Sequence, residues 1–208
     1  MGTVGDISKG FGLPFAGAPP VFEDRTRDAC VIVPGIMGSV LEDTGTGCPL
    51  WGADLSMLTD PLLARGFLGA LHADEQERAA DADTFRTGPL TRIRATRLIS
   101  RPWWLPFLEW LEPYTELTAV LRKATLAPEA VLPFPYDWRL AVAYNGAVLA
   151  RAARARLTRW REQVAAHPGW RAAGEREPRL VFVAHSVGGL VSVRRWSRTP
   201  GSPPTPAP

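Results

Sequence analysis

Five apolar residues, Leu180-Val181-Phe182-Val183-Ala184, run without a break into His185-Ser186-Val187-Gly188-Gly189, and residues 190–196 then read as the start of a helix. An uninterrupted apolar run of this length suits a strand covered on both faces. The turn that follows must be sharp, and it requires small residues two positions before and after the serine, here Ala184 and Gly188. Larger side chains there would strike the neighbouring strand and helix. A serine hydroxyl so placed stands out over the carboxyl edge of a sheet. The next backbone N–H, that of Val187, lies at a helix N-terminus, where it can stabilise a developing oxyanion. This is the nucleophile-elbow pattern with Ala in the place of its first Gly. The competing reading is an ordinary strand-to-helix turn in which Ser186 only caps the helix.

The rest of the chain supplies the fold such a turn needs. Val31-Ile32-Val33-Pro34 is a short apolar run closed by Pro34-Gly35, as expected of a buried parallel strand. Residues 36–112 read as long and irregular, with a short helix over 55–65 interrupted near Pro61 and an exposed acidic helical turn over 73–83. Residues 103–111, Trp-Trp-Leu-Pro-Phe-Leu-Glu-Trp-Leu, are dense in aromatics. They suit either a lid or interfacial lipid-contact segment or rings packed as core, and the second reading is preferred. Residues 115–124 predict a helix, 131–136 a strand weakened by two prolines, and 142–166 a long helix. On that helix Leu149, Ala153, Leu157, Trp160 and Val164 form one apolar stripe, with Arg151, Arg154 and Arg161 off it. The alternation of strand and helix points to an α/β class with a parallel sheet, flanking helices and a long insert after the first strand. The expected divisions are a loose Gly/Pro-rich leader over 1–29, a domain over 30–196 with an insert at about 40–112, and a proline-rich disordered tail over 197–208.

Composition narrows the function classes. A chain of 208 residues, 46% hydrophobic and 22% charged, can bury a sizeable core. The net charge is +3, and the arginines are spread along the chain, so no nucleic-acid footprint has a focus. No run of 18 apolar residues is present and no basic-then-apolar leader opens the chain, which predicts no transmembrane segment and a cytoplasmic location. The two cysteines, Cys30 and Cys48, are too few for a disulfide framework and read as free thiols; no metal-ligand spacing accompanies them.

A second glycine-rich segment, Val33-Pro34-Gly35-Ile36-Met37-Gly38-Ser39, follows the first strand. An oxyanion hole needs a second N–H from such a loop, and Ile36 is its natural donor; a plain Gly-rich turn is the alternative. This segment, then Pro135-Tyr136-Asp137-Trp138-Arg139, then Val-Ala-His-Ser-Val-Gly-Gly-Leu-Val occur in that order, and together they resemble the lecithin–cholesterol acyltransferase family of α/β hydrolases. The resemblance covers roughly residues 30–196. It implies a partial α/β-hydrolase fold, Ser186 as nucleophile, and the Ile36 and Val187 N–H groups as the oxyanion hole. It also implies a lipid or other acyl-ester substrate and no cofactor or metal; peripheral lipid contact goes with the reading of residues 103–111 as an interfacial segment. Asp137 and Arg139 read as a local ion-pair network at a strand end rather than as catalytic groups.

The chain departs from that pattern at one point. The fold's triad runs Ser, then Asp or Glu, then His, and after Ser186 no Asp, Glu or His occurs in 22 residues. The histidines are His72, His167 and His185, none of them well placed as a general base. No triad acid and no triad histidine is assigned. Without a base the serine hydroxyl stays protonated and is a poor nucleophile. The strand at 180–184, central in the implied fold, is also expected to expose an unpaired apolar edge. The expectation is therefore a serine-dependent O-acyltransferase or lipase/esterase, truncated after its elbow and impaired. A non-catalytic lipid- or partner-binding pseudoenzyme is the rival, and a thioesterase or peptidase on the same elbow a third option. Oligomeric state has no signal in the sequence.

Overall fold

The computed structural model describes residues 25–52, 69, 71–72, 75, 77, 92–99, 114–170 and 176–196. The expected helix over 55–65, the aromatic stretch over 103–111 and the tail over 197–208 lie outside the described residues, as do most of the acidic stretch over 73–83 and most of the leader.

Strands β1 (Ala29–Val33), β5 (Val131–Pro133) and β6 (Leu180–Ala184) form a parallel sheet in the order β5-β1-β6. All five residues of β1 are buried, because it is the middle strand and has helices over both faces. Its side chains alternate between two clusters. Val31 and Val33 pack with Phe134, Leu149, Ala153 and Val191, on the side of helices α2 (Val142–Ala166) and α3 (Val187–Trp196). Cys30 and Ile32 pack with Leu98, Val131 and Tyr114, on the side of helix α1 (Tyr114–Ala124). The result is a mixed α/β architecture of helices flanking a three-stranded parallel sheet, as the alternating pattern predicts.

The helix expected over 142–166 and the strand over 180–184 have those bounds. Trp160 is 1% exposed and donates its Nε1–H to the Arg27 carbonyl at 2.7 Å, so the apolar stripe of α2 ends on the segment leading into β1. That segment is already built in: Thr26 bridges to Thr125, and Asp28 accepts two 2.6 Å hydrogen bonds from Arg176. β5 stops at Pro133, short of the expected 136, because Pro133 and Pro135 have no N–H to continue a ladder.

The stretch read as irregular holds a second sheet. Strands β2 (Ser39–Asp43), β3 (Pro49–Trp51) and β4 (Ile93–Leu98) pair antiparallel in the order β3-β2-β4. The ladder shifts register on both sides of β2 near Leu41, which breaks the simple alternation that would have revealed a strand. β6 pairs only with β1 among the described residues, and Val181 is 42% exposed. No described helix is long and apolar enough to cross a membrane.

Candidate active site

The site is built where β1 and β6 end side by side. The His185 N–H donates to the Val33 carbonyl at 3.0 Å, extending the parallel ladder to the first residue of the turn. Ser186 then turns the chain with φ at 51°, a left-handed conformation that costs a non-glycine residue about 1–2 kcal/mol. The helix begins at once: Gly188 N–H donates to the His185 carbonyl and Gly189 N–H to the Ser186 carbonyl, both at 2.9 Å. Helix α3 therefore starts at Val187 rather than near Leu190, since the strained serine completes the turn alone.

Gly188 is obligatory by packing. A Cβ there would meet the Val33 carbonyl oxygen at 2.5 Å and also the Pro34 carbonyl. Ser186 is exposed, and so is the adjoining loop: Ile36 is 57% and Met37 42% exposed. The loop lies directly against the turn, because a Cβ added to Gly35 would sit 3.3 Å from the Ser186 Cβ and 3.0 Å from His185 Nδ1.

Three aromatic residues from separate parts of the chain hold this loop. At its start, the Gly35 N–H donates to the Tyr114 hydroxyl at 2.9 Å. At its tip, Trp51 donates its Nε1–H to the Met37 carbonyl at 2.9 Å, and Met37 takes a left-handed φ of 62°. At its end, the Tyr136 N–H donates to the fully buried Ser39 hydroxyl at 3.0 Å. Ile36 is left free: among the described residues its N–H has no hydrogen-bond partner, and neither has that of Val187. Two amides, one on the loop and one at a helix N-terminus, are thus available beside an exposed serine.

No protein-family model, no curated protein and no solved structure matches the chain. The chemistry of the site therefore rests on its own geometry.

The other expected residues fall as follows. Asp137 and Arg139 form a buried ion pair of 2.6 Å, the local contact that the network reading expects. The second partner was not foreseen: Arg139 also binds both carboxylate oxygens of Glu77, at 3.0 and 3.1 Å, and Glu77 is 1% exposed. The two carboxylates hold the guanidinium pKa above its ordinary value despite burial. Tyr136 is 4% exposed, and burial pushes its phenol up to about 12. His72 is exposed. His167 caps the end of α2, where its ring stacks on Trp170 at 4.3 Å. His185 is exposed, with Nδ1 3.0 Å from the Tyr114 hydroxyl. Cys30 is buried in β1, its thiol pKa raised chiefly by that burial, and Cys48 is exposed.

Tyr114 is the residue that the sequence did not single out. Its partners lie 79 and 71 positions away, and no local spacing announces contacts of that range.

Proposed function

We propose that Ser186 is the nucleophile of a serine-dependent O-acyltransferase or lipase/esterase site for lipid acyl esters, on a partial α/β-hydrolase fold. The observation that carries this reading is the strained serine at φ 51° between a parallel strand and a helix, with the Gly35–Ile36 loop packed on it. A positive φ on a serine at a sheet's carboxyl edge has a ready function in presenting Oγ to a substrate. The free N–H groups of Ile36 and Val187 would take the charge that develops when Oγ adds to an ester carbonyl. The alcohol would leave with a proton, and the acyl group would pass from Ser186 to a second alcohol or to water. The exposed side chains of Ile36 and Met37 put apolar surface at the rim, as an acyl chain requires.

The weak part of this machinery is proton transfer. Residues 187–208 contain no Asp, Glu or His. The oxyanion and binding contributions alone are worth about 10³–10⁴ over water in triad knockouts. The second reading is a non-catalytic lipid- or partner-binding protein, and it is supported by the Ser186 hydroxyl having no hydrogen-bonded base among the described residues.

A fluorophosphonate probe separates the two. Stoichiometric labelling of Ser186, lost in Ser186→Ala, together with slow turnover of a short-chain nitrophenyl ester, supports the acyl-transfer site. Folded protein without labelling overturns it in favour of the binding protein.

A further inference from the structure

We propose that Tyr114 is a positioning residue whose hydroxyl sets the spacing between the oxyanion loop and the serine turn. This rests on the acyl-transfer reading of Ser186. The first residue of α1 is 5% exposed, and its oxygen touches both halves of the site. It accepts the Gly35 N–H at 2.9 Å and lies 3.0 Å from His185 Nδ1. Gly35 precedes Ile36 and His185 precedes Ser186, so one buried oxygen ties together the two residues immediately before the free loop amide and the nucleophile.

Two further features make this bond a spacer rather than a convenience. An added Cβ at Gly38 would lie 3.0 Å from the same hydroxyl and 2.8 Å from the Pro34 Cβ, so the loop folds around the phenol with no slack. By taking the Gly35 N–H, the phenol also leaves Ile36 as the first untied amide of the loop. Oxyanion donors act only when fixed at hydrogen-bonding distance from the charge they stabilise, and an error near 1 Å costs on the order of a hundredfold in rate. The β1–β6 ladder ends at the Val33–His185 bond and Gly188 packs on the Val33 and Pro34 carbonyls; beyond these, the Tyr114 hydroxyl adds a side-chain bracket that touches both the loop and the turn.

The test compares Tyr114→Phe with wild type by three measurements. Imidazole nitrogen shifts of His185 and amide exchange of Gly35 report the bracket and need no activity. The second-order rate of Ser186 phosphonylation reports its consequence; in that reaction the Oγ–P bond forms, the P–F bond breaks, and the serine proton leaves to solvent with fluoride. The phenylalanine keeps the ring and its packing. We expect a moved Nδ1 shift, faster Gly35 exchange, and phosphonylation slowed on the order of ten- to hundredfold. His185→Ala is the second variant, and combined with Tyr114→Phe it should add little to the loss. Unchanged nitrogen shift and exchange would overturn the bracket. So would a lost bracket with the phosphonylation rate intact. Absence of labelling in the wild type would instead overturn the nucleophile reading, and the bracket would then stand or fall on the two spectroscopic measurements.

Discussion

Gly35 and Ser186 touch so closely that a methyl group on Gly35 would stand 3.3 Å from the serine Cβ. Two loops of unrelated sequence, separated by most of the chain, are thereby held at van der Waals distance. The serine hydroxyl and the free amides owe their juxtaposition to that approach.

Gly35→Ala tests it directly. The new Cβ meets the His185 ring and the Ser186 Cβ rather than backbone, so the neighbours can shift by a few tenths of an ångström. Loss of stability should be small, about 1 kcal/mol. Phosphonylation of Ser186 should slow on the order of tenfold, since the loop amide moves with the glycine. Equal labelling rates in the two proteins would show that the loop takes no part.

Gly188→Ala should behave oppositely. Its Cβ would strike main-chain carbonyls at the end of β1, which cannot rotate away. We expect about 3 kcal/mol of destabilisation, seen as a thermal midpoint lower by roughly 6–12 °C. A midpoint within 2 °C of wild type, about the fall expected from the loss of 1 kcal/mol or less, would mean that the turn has room for a methyl group at this position.

Ser186→Gly should stabilise the fold while abolishing labelling. Glycine adopts the left-handed conformation freely, which relieves about 1 kcal/mol of strain. Denaturant unfolding would show this as a higher midpoint with an unchanged slope. A lower midpoint would argue against strain at this residue.

Arg139→Met removes the cation shared by Asp137 and Glu77, whose side chains are 8% and 1% exposed. Breaking such a buried group by deleting one partner costs about 3–5 kcal/mol. Arg139→Lys should recover only part of it, because a lysine cannot bind two carboxylates with a planar fork. Calorimetry on both variants checks the order.

Asp28 gives a pH signature. The Arg176 guanidinium holds its carboxyl below the usual carboxylate range, aided by the Arg179 N–H and opposed by burial. A depressed native pKa contributes stability above the unfolded value of about 3.9, and that contribution disappears as pH falls through the native value. Asp28→Asn should therefore be less stable than wild type at pH 7 and should lose less stability on acidification below about pH 4. Thermal midpoints from pH 7 down to 2.5 test this, and parallel curves for the two proteins would contradict it.

How far the chain could be read in advance depended on the range of the forces involved. The α2 stripe was legible because burial of a helix face imposes its period on consecutive residues, and the β6 run because five consecutive apolar residues suit a strand, although β6 is half-buried to exposed rather than covered on both faces. The turn at Ser186 was legible by a different route: a sharp strand-to-helix turn demands small neighbours, and Gly188 answers the backbone carbonyls of Val33 and Pro34. The antiparallel sheet of β2, β3 and β4 was missed, since its strands are short and shifted in register and β4 joins β2 from about fifty positions away.

Sequence alone determined the α/β class, the bounds of α2 and β6, and which serine sits on the strand-to-helix turn, from periodicity and the small residues around that serine. Only the tertiary structure decided that Tyr114 joins Gly35 to His185, that Glu77 completes the Arg139 cluster, and that Ile36 keeps a free amide. Those contacts join residues far apart in the chain, and a hydrogen bond closed through space leaves no periodic mark on the residues between its ends.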